Sequence, residues 1–449
     1  MRFSVFTPTH RPEHLLVPLA SLEAQDFERE DFEWVIGVNN GAHVDDIPQK
    51  VKDSKINVRF ESIPPKAEVG ENIGYLKKWL CGKCKGDYLL ELDHDDELRS
   101  DALSMLHKAS CTPKHEPEFM YSDAVHIHDN DKDNKTQVYS GQYGWPTPYE
   151  VEWKGEKYRN QPAFPVSAAS LYNIFFSPDH VRVWMRSFYD FIGGHDETLW
   201  AADDHELLQR TYIAGGTMLH LNQCLYIYHL HENASNSYLE RNKFIQTQQQ
   251  KNANKHMVPL VREWCRRHGL TRVELGASRP MLAESKVVGV GLEGTDINMD
   301  LRRGLPFTDN SVGHINAQDF LEHIPGCHNS KCRHTDAYCT VGMMNEIWRV
   351  LAPGGFFTSS TPSSDGRGAF QDPSHVSYWN PNSFWYYTRK QQAAFLAGNP
   401  QAKFINKGVS QGYPSDWHKQ HHILYVDAVL IALKHKNQPG DNGFWPSYP

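Results

Sequence analysis

The chain has no apolar run near the length needed to span a bilayer. It opens on a strand-like segment, Arg2-Phe3-Ser4-Val5-Phe6, instead of a signal peptide, so the expectation is a cytoplasmic protein without a built-in anchor. A surplus of positive charge is also missing. The net charge of -8 argues against a surface that coats nucleic acid, with Arg262–Arg267 left as a local basic stretch. Cysteine is sparse: eight in 449 residues, not spread as a small secreted framework, which points to reduced thiols. Internal repeats are absent, and the one low-complexity tract is the short glutamine run at Gln246–Gln250.

What is present fits a globular enzyme-sized chain. At 449 residues it is too long for one ordinary core, so two domains are expected. The first half alternates strands (Phe3–Phe6, Phe32–Val38, Asn57–Ser62, Asp87–Leu92) with helices around Leu15–Gln25 and Ile73–Cys81, a βαβ series. A looser stretch, Asn130–Pro165, carries Tyr139, Tyr143, Trp145, Tyr149 and Trp153 and reads as a substrate loop or lid. Glu240–His268 reads as a helix or broken pair joining the domains. A second alternating series runs from Val273 to about Lys436, followed by a Pro/Gly/Asn-rich tail. The expected division is 1–236, a helical linker 237–270, 271–436, and a tail 437–449.

The densest chemistry follows the strand Tyr88–Leu92, in Asp93-His94-Asp95-Asp96. Carboxylates crowded at a strand end repel one another unless a divalent cation sits among them. Hard oxygen ligands suit Mn²⁺ or Mg²⁺, ions that commonly accompany a substrate phosphate. The alternative is a solvated acidic turn capping a helix at Glu97–Lys108. Other polar turns fall at the same sheet edge: Thr7-Pro8-Thr9-His10-Arg11, Asn39-Asn40-Gly41, and Val69-Gly70-Glu71-Asn72 before a helix whose N-terminus can hold an anion.

Taken in order, these segments resemble the family 2 glycosyltransferases of the GT-A fold over roughly residues 1–235. Ser4–Arg11 is similar to the family's opening strand, and Asp93-His94-Asp95 to its Asp-x-Asp motif. Gly193–Glu197 with Ala202–Leu207 resembles the acceptor-side segment, and His229-x-His231-x-x-x-Ser235 the late metal-binding segment. The resemblance implies an inverting, metal-dependent transferase. In it Asp93, Asp95 and His231 hold the metal, and Asp204 is the catalytic base. Pro8, Thr9, Arg11, Asn39, Asn40, Asn72, Lys77, Asp93 and His94 contact a nucleoside-diphosphate sugar, UDP-type by expectation. The acceptor is a glycan or a modified nucleic-acid base. Two positions depart from the pattern: Asn39-Asn40-Gly41-Ala42 replaces an Asp-Asp-Gly-Ser-like turn, and Asp203 stands where the family favours Glu. An amide both donates and accepts, so Asn39 and Asn40 retain the means to read a base. Asp204 also suits a helix N-cap, its non-catalytic reading.

In the second half, Val273–Gly276, Leu305-Pro306-Phe307, Leu321-Glu322-His323 and Ala352-Pro353-Gly354-Gly355 resemble class I S-adenosylmethionine-dependent methyltransferases over about 271–398. The fold class expected for the whole chain is therefore α/β: a GT-A nucleotide-diphospho-sugar transferase domain, then a Rossmann-like methyltransferase domain. The resemblance places S-adenosylmethionine near Glu274, Gly276, Glu293, Asp296 and Asp300. Yet the cofactor loop keeps only one glycine, and Gly291 stands where an acidic ribose ligand belongs, so active and degenerate readings stay open. Cys327, Cys332, His334 and Cys339 are candidate ligands for structural Zn²⁺, against ordinary reduced thiols, and Cys81/Cys84 form a second, weaker pair. Asp372–Asn380 reads as a pocket-lining loop or an aromatic core segment. Two rivals to the transferase reading remain, a non-catalytic nucleotide-sugar-binding scaffold and methyl transfer as the main activity.

Overall fold

A computed structural model describes residues 1–111, 116–128, 146–174, 178–230, 242–327, 338–396, 400–435 and 438. The chain forms two compact units that divide between Leu260 and Val261. Both are mixed α/β.

The first unit is built on strands β1 (Phe3–Thr9), β2 (Phe32–Val38), β3 (Val58–Ser62), β4 (Tyr88–Glu91), β5 (Glu97–Leu98) and β6 (Phe119–His128). A separate hairpin, β7 (Glu150–Trp153) and β8 (Glu156–Arg159), precedes β9 (Arg182–Met185) and β10 (Met218–Leu230). The eight-stranded sheet has the order β3-β2-β1-β4-β9-β6-β10-β5. The first four strands are parallel, and β9 runs antiparallel between β4 and β6. Every residue of β2 is buried, as befits a strand covered on both faces. Its one charge, Glu33, is met by Arg59 at 3.0 Å and by the Ser4 hydroxyl, which donates at 2.6 Å. Phe3, Val5, Leu19, Phe32, Trp34, Ile36 and Leu90 share the main core.

The expected helix at Glu97–Lys108 begins later. Glu97–Leu98 pairs with Ile227 and Tyr226 as β5, and the helix is Ala102–Ser110. Glu97 is drawn into that strand by Lys154 at 2.7 Å and His229 at 3.0 Å. From the loose aromatic stretch, the Tyr149 hydroxyl donates to Asp123 at 2.8 Å, and Trp153 packs against Val125 and Ile227. Tyr139, Tyr143 and Trp145 lie outside the described residues, as does the tail beyond Gln438.

Helix Asn242–His268 is unbroken despite Pro259. Its first part packs within the first unit. The Asn252 side chain donates to the Ala202 carbonyl at 3.2 Å, and His256 lies 2.9 Å from Glu206.

The second unit holds β11 (Thr271–Ala277), β12 (Val288–Gly291), β13 (Ile297–Asn298), β14 (Val312–Gln318), β15 (Leu351–Pro362), β16 (Phe404–Gly412) and β17 (Tyr425–Ala432). Their order is β13-β12-β11-β14-β15-β17-β16, with β17 antiparallel to both neighbours. Such a doubly wound sheet places its crevice at the carboxyl ends of β11 and β14. β15 starts at Leu351, so Pro353-Gly354-Gly355 lies inside a strand.

One glycine sets the approach of two site-bearing segments in the first unit. A Cβ at Gly74, in helix Ile73–Cys81, would fall on the Asp196 carbonyl oxygen, and the Gly74 N–H donates to Leu199 O at 3.1 Å. Gly74→Ala is therefore expected to destabilise the first unit by about 1–3 kcal/mol through overpacking. A fall in the urea midpoint checks this, and an unchanged midpoint would refute it.

Candidate active site

The site lies at the carboxyl edge of the first sheet, where the end of β4 is fixed from both sides. The Thr7 hydroxyl donates to Leu92 O at 2.7 Å and accepts from the Trp34 indole at 2.9 Å. The following acids then separate by role. Asp96 turns inward: its carboxylate accepts from the Tyr226 hydroxyl and from His229 N, each at 2.8 Å. Burial with Asp93 and Asp95 nearby pushes its carboxyl well above the ordinary range. It anchors β10 to the turn. Asp93 and Asp95 keep their side chains 37% and 22% exposed.

Asp93 lies 3.9 Å from His180 Nε2, and burial, with Glu91 nearby, raises its carboxyl to about 7. The paired carboxylates of Asp93 and Asp95 are a donor set suited to a hard divalent ion, Mn²⁺ or Mg²⁺. His231 lies outside the described residues. Its neighbour His229 is engaged with Glu97 at 3.0 Å. His180, stacked on Tyr226 at 4.5 Å, is held neutral by burial and Arg182, at about 4.

Beneath the exposed acids lies a layer of buried charge. Glu91 is 1% exposed and meets Lys77 at 2.5 Å and Arg182 at 3.7 Å. Lys77 also reaches Asp203 at 3.3 Å. Arg182 reaches Asp204 at 2.6 Å and Asp179 at 3.6 Å, and Asp179 meets His126 at 3.1 Å. Asp203 and Asp204 open helix Asp203–Ile213 after Ala202, whose φ of 57° is left-handed. Burial alone would raise Asp204, but Arg182, Lys77 and the His205 N–H hold its carboxyl far below the usual range. Asp203, with less compensation, is raised to about 6.

The remaining expected contacts line the same edge. Thr9 O accepts from Asn39 N at 3.0 Å, and the Thr9 hydroxyl oxygen accepts from Arg11 N at 3.0 Å; Pro8 lies between these elements in β1. Asn40 N donates to Glu71 at 2.8 Å. Asn72, buried at the start of helix Ile73–Cys81, donates to Glu197 O at 3.3 Å and leaves its own Oδ1 without a hydrogen-bond partner. His94 packs edge-on against His10 and His14. Four residues of the site were not singled out from the sequence: Glu91, Asp179, His180 and Arg182. Glu91 and Arg182 did leave a signal, each being a charge inside an otherwise apolar strand.

The second unit fits S-adenosylmethionine poorly. Both Glu274 oxygens accept from the Asn316 amide, at 3.0 and 2.9 Å. Gly276, at φ 72°, does let backbone approach closely. However, a Cβ at Gly291 would lie 2.5 Å from Ala277 O, so a ribose-binding side chain is sterically excluded there. Asp296 Oδ2 accepts from the N–H groups of Met281, Leu282 and Gly289 at 2.8–3.0 Å, closing its own loop. Asp300 is held by Arg302 at 2.8 Å, and Glu293 is exposed. Of the zinc candidates, Cys332 and His334 lie outside the described residues, Cys327 is exposed, and the Cys339 thiol caps helix Thr340–Val350. Cys81 and Cys84 are buried free thiols, Cys84 pushed up to about 12 by burial.

No family model matches the chain, and no curated protein matches it. Among solved structures it is similar to S. aureus TarS 1-349 in complex with UDP-GlcNAc, at 16% identity over 59% of this chain and 73% of that one, with a TM-score of 0.41. The match to the same fragment with UDP spans 61% of that chain. A second likeness is to the mannosyltransferase PcManGT from Pyrobaculum calidifontis in complex with GDP-Man and Mn²⁺, at 13% identity over 57% and 64%, with a TM-score of 0.40. Scores this low leave function to be read from the residues. No helix among the described residues is long and apolar enough to cross a membrane.

The Asp93 shift has a measurable sign. A folded-state pKa of about 7 lies above the ordinary value of about 3.9, so the metal-free fold favours the protonated acid. Stability is then lost as pH rises from about 4 through about 7, and metal binding releases a proton. In chelator at about pH 8, Asp93→Asn is expected to be more stable than wild type. The gain is about 1 kcal/mol, reduced by the side chain's 37% exposure. Thermal melts at about pH 5 and pH 8 check this; equal differences at both would refute it.

Proposed function

We propose that the first unit is an inverting, metal-dependent glycosyltransferase of the GT-A type, moving a sugar from a nucleoside diphosphate to an acceptor hydroxyl. The observation that carries the reading is the Glu91–Arg182–Asp204 link. One buried guanidinium ties the strand that presents Asp93 and Asp95 to the helix start that presents Asp204. Exposed acids for a cation and an ionised carboxylate thus share one edge.

In this reading Asp93 and Asp95 hold the divalent ion. When bound, that ion neutralises charge on the departing diphosphate. The turns at Thr9–Arg11, Asn39–Asn40 and Asn72 seat the nucleotide. Asp204 takes the proton of the acceptor hydroxyl as it attacks the face opposite the leaving group. Arg182 keeps Asp204 ionised at neutral pH, which favours availability over basicity. A glycan acceptor suits the acidic chain better than nucleic acid does. No methyl transfer is proposed for the second unit, whose loop geometry opposes the cofactor.

Thermal stabilisation by UDP or GDP with Mn²⁺ tests the donor site. The shift should vanish in Asp95→Asn and survive in Asp204→Asn, since ligand binding to the fold raises its stability by mass action. Turnover of a nucleotide-sugar panel should fall about 10²–10⁴-fold in Asp204→Asn. No shift with any nucleoside diphosphate and Mn²⁺ would remove this reading and favour the scaffold.

A further inference from the structure

The carboxyl edge of the second sheet carries a cluster that sugar transfer does not use. After β14 the chain makes a tight turn, Leu321–His323, which presents Glu322 and His323. His375 comes from the loop that follows helix Gly368–Gln371. One ligand atom from each of Glu322, His323 and His375 lies within 4.8 Å of the others.

Three features separate this cluster from a chance meeting of polar side chains. Glu322 is 1% exposed; one carboxylate oxygen accepts the Thr361 hydroxyl, and the other, Oε1, has no hydrogen-bond partner. A buried carboxylate oxygen left so is costly, and a cation is the natural remedy. Both imidazoles are also oriented through Nδ1. His375 Nδ1 lies 3.0 Å from Ala369 O and His323 Nδ1 lies 3.2 Å from Ser374 O. A carbonyl only accepts, so each Nδ1 carries a proton and Nε2 is the nitrogen left to bind an ion. That is how metal-binding histidines are commonly set.

The loop is moreover built in place. Val376 N and Ser377 N donate to Glu322 O at 2.8 and 3.0 Å, and the Ser377 hydroxyl donates to Leu321 O at 2.9 Å. The buried Trp379 indole donates to Ser377 in turn, at 3.0 Å. Asp372 closes the turn by accepting from Ser374 N and its hydroxyl, at 2.8 and 2.6 Å.

We propose that Glu322, His323 and His375 bind one divalent first-row transition ion, with Zn²⁺ as the ion the donors suit. Two imidazoles and one carboxylate are too rich in nitrogen for Mg²⁺ or Ca²⁺. Three protein ligands are the number found where a further position is left for water or a substrate oxygen. That position faces solvent, since His323 is exposed. The site differs in residues and chemistry from both the Asp93/Asp95 pair and the cysteines considered above.

The test uses the full-length chain stripped of metal and titrated with Zn²⁺, then with Co²⁺ as a spectroscopic probe. Wild type is compared with His323→Ala and His375→Ala, all carrying Asp95→Asn to silence the first unit's site. His323 is exposed, so its variant should melt in chelator as wild type does. The expected result is one Zn²⁺ fewer per chain in each variant, or an affinity lowered by more than about 100-fold. Co²⁺ should give a nitrogen- and oxygen-ligated visible spectrum that both variants lose. Equal zinc stoichiometry and affinity in all three proteins would overturn the proposal. So would a thiolate-ligated Co²⁺ spectrum that persists in His323→Ala, which would place the ion on cysteines.

Discussion

The first unit depends on one electrostatic requirement: acids buried at the end of β4 need cations buried with them. An uncompensated carboxylate at the depth of Glu91 would cost several kcal/mol. Lys77 and Arg182 meet that need from different elements. Lys77 comes from helix Ile73–Cys81, and Arg182 from β9, directly across from Glu91 in the antiparallel register. A slip of one residue in that register would turn Arg182 to the other face of the sheet and strand both charges. The network therefore specifies how β9 enters a sheet that is otherwise parallel on that side. It also couples the acid turn to the helix that begins at Asp203.

The same requirement explains the state of the two adjacent aspartates. Both sit in the first turn of one helix, where the dipole favours negative charge. They differ because Arg182 stands 2.6 Å from Asp204, whereas Asp203 shares Lys77 with Glu91. One carboxylate is held firmly ionised and its neighbour is raised to about 6. The left-handed Ala202 that sets this helix start is held by Asn252, and Glu206 by His256. Helix Asn242–His268 is thus part of the site's support, beyond any role as a connector.

The sequence made the strand–helix alternation of both halves legible, because apolar runs of strand length and helical spacing recur between polar turns. It also exposed the surface of the site: Asp93, Asp95 and Asp204 stand in loops and at a helix start, where local pattern is informative. It hid the interior. Glu91 and Arg182 become meaningful only when β4 and β9 are paired, and their partnership spans 91 positions that no periodicity crosses. Nor did the sequence separate Asp96 from its neighbours by role. It lies in the same crowded acidic turn as Asp93 and Asp95, yet its carboxylate is engaged by Tyr226, a residue from β10. Glu97 likewise looked like the start of a helix, and only its pairing with Ile227 made it strand.

The two sheets treat their carboxyl edges differently, and the contrast bears on what each can do. In the first, the chain supplies buried cations for Glu91 and Asp204, and Asp93 and Asp95 are the acids proposed for an external one. In the second, the position that would hold a ribose ligand is closed by backbone, since Ala277 O occupies the space a Gly291 side chain would need. A buried acid at that edge, Glu322, has no lysine or arginine ion pair among the described residues; its neighbours include a hydroxyl, two histidines and Asp319. Burial raises the Glu322 carboxyl, and a cation shared with the two imidazoles would let it ionise. Two histidines each held through Nδ1 beside that acid give the edge a donor set suited to an ion, which the backbone-closed position at Gly291 does not offer.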